Sequence, residues 1–122
     1  MSVHTHSCEY LVVACIDFRF QKYIRQWLDK KIADKTYDYV GFAGATKDLK
    51  TIMKQLDISI KLHHIKQVVL IHHEDCGAYG KESTLERHTK DLKKAQTTIN
   101  AIHPDLKVNL YYLHLNGKFE KI

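Results

Sequence analysis

The chain has 122 residues, 44% of them hydrophobic, with one proline, five glycines and no low-complexity tract, which fits a single domain over 1–122 and leaves no room for a second. No stretch approaches about 18 consecutive apolar residues, the opening MSVHTHSCEY lacks the basic-then-apolar order of a secretory signal, and three cysteines make no disulfide framework. The expectation is a cytoplasmic protein with free thiols and no membrane partner. The surplus of 19 Lys+Arg over 14 Asp+Glu is +5, but the lysines are interspersed with acids, as in KKIADKTYD and RHTKDLKKA, so a solvated surface is expected and no nucleic acid partner.

In chain order, YLVVACI (10–16) is a near-continuous apolar, β-branched run, the pattern of a strand buried on both faces. Phe20, Tyr23, Ile24, Trp27, Leu28 and Ile32 recur at helical spacing and make 20–32 an amphipathic helix. YDYVGFAG (37–44) reads as a second strand ending at Gly44, and Leu49, Ile52, Met53, Leu56 and Ile60 mark a second helix. KQVVLIH (66–72) is a third strand. Ser83 and Glu86 have capping-box spacing and open a helix with apolar face Leu85, Leu92, Ala95, Ile99 and Ile102, stopped before Pro104. LKVNLYYLHL (106–115) is a fourth strand, and NGKFEKI is a turn with a short extension. Alternating strands and helices predict an α/β fold: a central, mostly parallel sheet of order 2-1-3-4 with helices on both faces.

In such sheets ligands bind beyond the carboxyl ends of the strands, where the strand order reverses. The first strand ends in ACIDFRF, with Cys15, Asp17 and Arg19; the third ends in HHEDCGA, with His72, His73, Asp75 and Cys76. Cys15, Cys76 and one histidine would supply two thiolates and an imidazole, a set that suits zinc and leaves a fourth position open. His73 stands at His-x-x-Cys spacing to Cys76, and strand alternation turns His72 to the opposite face. GAYGKES is no phosphate loop, because Asp75 and Glu82 hold the positions that need glycine and Ser/Thr.

Cys-x-Asp-x-Arg in CIDFR, followed by His-x-x-Cys-Gly in HEDCGA, closely resembles the β-class carbonic anhydrases. The resemblance takes in GFAGATKDL and the closing LYYLHLNGKFEKI, and so most of the chain. It implies that Cys15, His73 and Cys76 ligate Zn2+, that Asp17 and Arg19 form the catalytic dyad, and that the activity is reversible hydration of carbon dioxide to bicarbonate in a homodimer or higher homo-oligomer. Zinc lowers the pKa of its bound water from about 15.7 towards 7. Two thiolates cancel its formal charge, so activity is expected to rise on the alkaline side. Asp17 would accept a hydrogen bond from the resulting hydroxide, and Arg19 would keep Asp17 ionised and away from the metal, where it could otherwise become a fourth ligand. Hydrolysis of carbonyl sulfide or carbon disulfide on the same site, and a non-catalytic zinc-binding module, are the alternatives.

This sequence departs from the family in reaching its first strand by Tyr10 without a helical arm, and in joining His-x-x-Cys to the last strand by one helix. Ala45 stands where the family has asparagine, and His72 where a glycine commonly precedes the histidine ligand. His4, His6 and Cys8 are read as a frayed terminus in preference to a second metal cluster. His63 and His64 end a helix and are given a packing role. His88, His103 and His114 carry no functional expectation. Leu56, Ile58, Ile60, Leu62 and Ile65 spread apolar surface around more than one helix face, which suggests a partner chain.

Overall fold

The computed structural model describes residues 4–122; the first three residues of the opening read for a leader lie outside it. The elements are β1 (Tyr10–Ala14), α1 (Gln21–Lys31), β2 (Tyr37–Gly41), α2 (Leu49–His63), β3 (Gln67–His73), a 3-10 turn (Gly80–Glu82), α3 (Leu85–Ile102), β4 (Lys107–Leu113) and β5 (Phe119–Lys121). One five-stranded sheet has the order β2-β1-β3-β4-β5. The first four strands are parallel, as expected, and the short extension after the turn forms β5, antiparallel to β4. Order reverses between β1 and β3, which pair directly from Tyr10↔Gln67 to Val13↔Leu70.

Strand alternation divides the core. Leu11, Val13, Val68 and Leu70 face Ile52 and Leu56 of α2 and Leu92, Ala95 and Ile99 of α3. Val12, Ala14, Val69 and Ile71 face Ile24 and Leu28 of α1 with Phe20 and Ile32. Each buried Val, Leu, Ile or Phe among them contributes about 1.5–3 kcal/mol, so the two apolar faces fix the register of every strand. Among the described residues no helix is long and apolar enough to cross a membrane.

Three expectations are corrected. Strand β2 stops at Gly41 and not at Gly44, because Gly44 (φ +79) and Ala45 (φ +53) turn the chain after the Phe42 amide has bonded Ala14 O. Thr84, not Ser83, caps α3: its side chain accepts from the Arg87 amide at 3.1 Å, while Ser83 is engaged elsewhere. The segment before β1 is docked rather than frayed at Cys8, whose amide donates to His63 O at 3.0 Å. His63 does pack, with Nδ1 2.7 Å from Asp38 Oδ2. Ile58 and Leu62 lie exposed on the outer face of α2.

Candidate metal centre

Cys15 follows β1 directly, His73 is the last residue of β3, and Cys76 lies in the turn after it. All three are buried, and their ligand atoms lie within 4.8 Å of one another. The turn brings Cys76 back because Asp75 takes a left-handed conformation (φ +56) and the Tyr79 and Gly80 amides both donate to Cys76 O. From the other side, the Gly44 amide donates to Cys15 Sγ at 3.4 Å.

The imidazole of His73 is oriented by two contacts. Its ring packs on Phe20 at 4.2 Å between centroids, and Nδ1–H donates to Glu74 O at 2.7 Å. This leaves Nε2 as the free donor atom, buried and without a hydrogen-bond partner. Such an orphan costs about 1–3 kcal/mol unless a ligand takes it up. The Cys76 thiol beside Cys15 holds the Cys15 thiol far below its ordinary value, and the same contact, with burial, pushes the Cys76 thiol up. Two sulfurs, one readily ionised, and an orphaned imidazole nitrogen fit a zinc ion.

Asp17 and Arg19 lie beside this cluster in the loop that leads into α1. Both Asp17 oxygens accept from Arg19, with Nη2 at 2.7 Å and Nε at 3.1 and 3.2 Å, and Oδ1 also accepts the Arg19 amide at 2.9 Å. These bonds hold the Asp17 carboxyl below its ordinary value. Arg19 extends further, donating to Asp75 Oδ2 at 3.0 Å and Asp75 O at 2.9 Å, so one guanidinium ties the β1 loop to the β3 loop. Asp17 Oδ2 is 3.9 Å from His73 Nε2. The cleft that these groups line is otherwise apolar, walled by Ile16, Phe18, Ala43 and Ala78.

His72 points to the opposite face, as expected, and enters a buried polar chain. The Thr46 amide and hydroxyl reach its Nε2 at 3.4 and 2.6 Å, so Nε2 accepts. Its Nδ1 therefore donates to His88 Nδ1 at 2.8 Å, and His88 Nε2 then donates to Ser83 Oγ at 2.9 Å. Ser83 Oγ also accepts the Cys76 amide at 2.8 Å. One consistent set of protons thus links the loop after β2 to the loop of a candidate ligand. Gln21 works on the other side, donating from Nε2 to Cys15 O at 2.8 Å and Asp17 O at 2.9 Å. Sequence reasoning missed Gln21, Thr46, Ser83 and His88 as parts of this site. Only the adjacency of His72 to His73 signals that a polar partner must wait on the far face of β3.

A family model described as "Putative carbonic anhydrase" matches residues 5–122. An uncharacterized protein of Rickettsia bellii (strain RML369-C) is 31% identical over 131 residues, covering 92% of this chain and 80% of its own. Another, of Rickettsia conorii (strain ATCC VR-613 / Malish 7), is 30% identical over 131 residues, covering 92% and 70%. Among solved structures, the fold is similar to carbonic anhydrase from Streptococcus mutans, with TM-score 0.71, 15% identity, and 100% of this chain and 87% of that one covered. It is also similar to carbonic anhydrase from Glaciozyma antarctica, with TM-score 0.69, 18% identity, and coverage of 96% and 83%. The β-carbonic anhydrase of Aspergillus fumigatus follows with TM-score 0.59 at 16% identity, covering 98% and 77%. These solved neighbours share the β-carbonic anhydrase fold, and the family match runs over nearly the whole sequence: the chain belongs to that carbonic anhydrase family.

Proposed function

We propose that the protein catalyses the zinc-dependent, reversible hydration of carbon dioxide to bicarbonate and a proton. The observation that carries this reading is the orphaned His73 Nε2, buried beside Cys15 and Cys76 and 3.9 Å from a carboxylate that Arg19 holds. Cys15, His73 and Cys76 would hold the ion. When bound, zinc acidifies water and so supplies a nucleophile at neutral pH.

The chain's own residues orient the reaction. Asp17, ionised and acceptor-only, takes a hydrogen bond from the attacking water and turns the oxygen lone pair towards the carbon of carbon dioxide. Arg19 occupies both Asp17 oxygens and so keeps the carboxylate from the metal position. Asp75 anchors Arg19 in turn. The apolar walls of the cleft suit a linear, uncharged substrate. The exposed Ile16 (61%) and Phe18 (86%) beside the site offer apolar surface for a second copy of the chain, in line with a homo-oligomer.

Stopped-flow carbon dioxide hydration by zinc-loaded protein between about pH 6.5 and 9 tests the reading, since the two thiolates temper the acidity of zinc. The expected result is a rate that climbs with pH and vanishes in Cys76→Ser. A rate no higher than buffer with zinc bound would overturn it; carbonyl sulfide hydrolysis in the same protein would then identify the sulfur-containing substrate.

A further inference from the structure

At the opposite end of the sheet from Cys15, His73 and Cys76, three more potential ligands meet. Cys8 lies just before β1, Asp38 is the second residue of β2, and His63 is the last of α2. Their ligand atoms lie within 4.8 Å of one another, and all three are half-buried. We propose that Cys8, Asp38 and His63 form a second metal site, for a zinc-like divalent ion, separate from the centre at Cys15.

The three side chains are held by contacts from independent elements. The Cys8 amide donates to His63 O at 3.0 Å, which holds the residue at the end of α2, and its thiol donates to Tyr10 O at 3.6 Å. Ser59, one turn earlier in α2, donates its hydroxyl to Asp38 Oδ2 at 2.7 Å, and His63 Nδ1 lies 2.9 and 2.7 Å from the two Asp38 oxygens. The His6 ring stands 4.7 Å from that of His63, near enough to offer a further nitrogen after a small movement of its segment. Burial and the Asp38 carboxylate both push the Cys8 thiol up. A thiol against a carboxylate is a poor pair for two anions and a good one once a cation sits between them. Sulfur, imidazole and carboxylate together select zinc-like ions over calcium or magnesium, which prefer oxygen alone. Binding releases the Cys8 thiol proton to solvent and ties the segment before β1 to β2 and α2.

The test is metal counting on the full-length reduced protein, dialysed against a buffered free-zinc solution. Two zinc ions per chain are expected, falling to one in Cys8→Ser and in His63→Gln, each checked for an unchanged circular dichroism spectrum. Cadmium-113 NMR of the unmodified chain needs no variant: two signals are expected, one from a two-thiolate site and one shifted towards the oxygen-rich range. A metal count that Cys8→Ser and His63→Gln both leave unchanged overturns the proposal, as does a single cadmium signal that both variants retain. Neither variant touches Cys15, His73 or Cys76, so failure here leaves the carbonic anhydrase reading standing.

Discussion

The Nδ1 atoms of His72 and His88 lie 2.8 Å apart, and both rings are almost completely shielded from solvent. Only neutral imidazoles satisfy this contact together with Thr46 and Ser83, because each ring uses one nitrogen as donor and the other as acceptor. Burial lowers His72 to about 3, helped by its neighbour His88, and burial lowers His88 to about 4.

Both histidines titrate near 6.5 in the unfolded chain, so below that pH the unfolded state takes up protons that the folded state refuses. The pair's contribution to stability should be level above about pH 7 and fall as the pH drops, with a limiting slope of about 2.7 kcal/mol per pH unit. In His88→Gln, which keeps a donor and an acceptor, the slope should drop by about half, to 1.4 kcal/mol per pH unit. Urea unfolding of both proteins from pH 5 to 8 measures the difference; equal slopes would rule out a neutral pair.

Ser83 joins this chain to a candidate ligand. Ser83→Ala leaves the Cys76 amide and His88 Nε2 without their acceptor, at a cost of about 1–3 kcal/mol for a buried orphan. If Cys76 binds zinc, its loop then loses positional support and zinc affinity should fall by about 10- to 100-fold. Competition with a chromogenic chelator reads the affinity, and urea unfolding of the metal-free protein reads the stability. A stability loss at unchanged affinity would confine Ser83 to a packing role.

The different fates of Ser83 and Thr84 illustrate what the sequence makes legible. Periodicity located α3 and every parallel strand, because each buries one face or both against a continuous core. The cap was misplaced by one residue because Ser-x-x-Glu satisfies the local rule, whereas the Ser83 hydroxyl is claimed by His88 in the first turn of α3 and by the Cys76 amide from the loop after β3. Cys15, His73 and Cys76 were legible because their chemistry and the strand-end rule point to one place. Cys8 with Asp38 and His63 was not, since a strand and a helix separate each from the next and no local pattern joins them. Asp75 was placed at the end of the third strand with the candidate ligands but given no partner; its bond to Arg19 depends on how β1 and β3 lie side by side.

Arg19 offers a sharper test than Asp17. Arg19→Lys keeps the positive charge but cannot span both Asp17 oxygens while reaching Asp75. Loss of a charge-assisted hydrogen bond of about 1.5–3 kcal/mol predicts a fall in kcat of about 10- to 100-fold. Asp17→Asn should cost about 100-fold or more, with the thermal midpoint of Arg19→Lys little changed because that side chain is 38% exposed. Stopped-flow rates beside thermal unfolding curves separate the two readouts; wild-type kcat in Arg19→Lys would show that charge alone suffices.

Gly44 and Gly117 pose the same backbone problem in two places, with different expected consequences. Both have positive φ, +79 and +89, so alanine is strained at either position by about 1–2 kcal/mol. A Cβ at Gly117 would also press on the Tyr23 ring at 2.6 Å, and the ring must swing away. A Cβ at Gly44 would meet Lys47 Cβ at 3.0 Å and Ala78 Cβ at 3.2 Å, wedging apart the two loops that flank Cys15 and shifting the amide that donates to its sulfur. Urea unfolding should therefore show comparable destabilisation in Gly44→Ala and Gly117→Ala. Zinc affinity and carbon dioxide hydration should fall only in Gly44→Ala, by about tenfold if that amide supports the ligand. Equal zinc affinity in the two variants would mean that the loop carrying Gly44 merely covers the site and does not shape it.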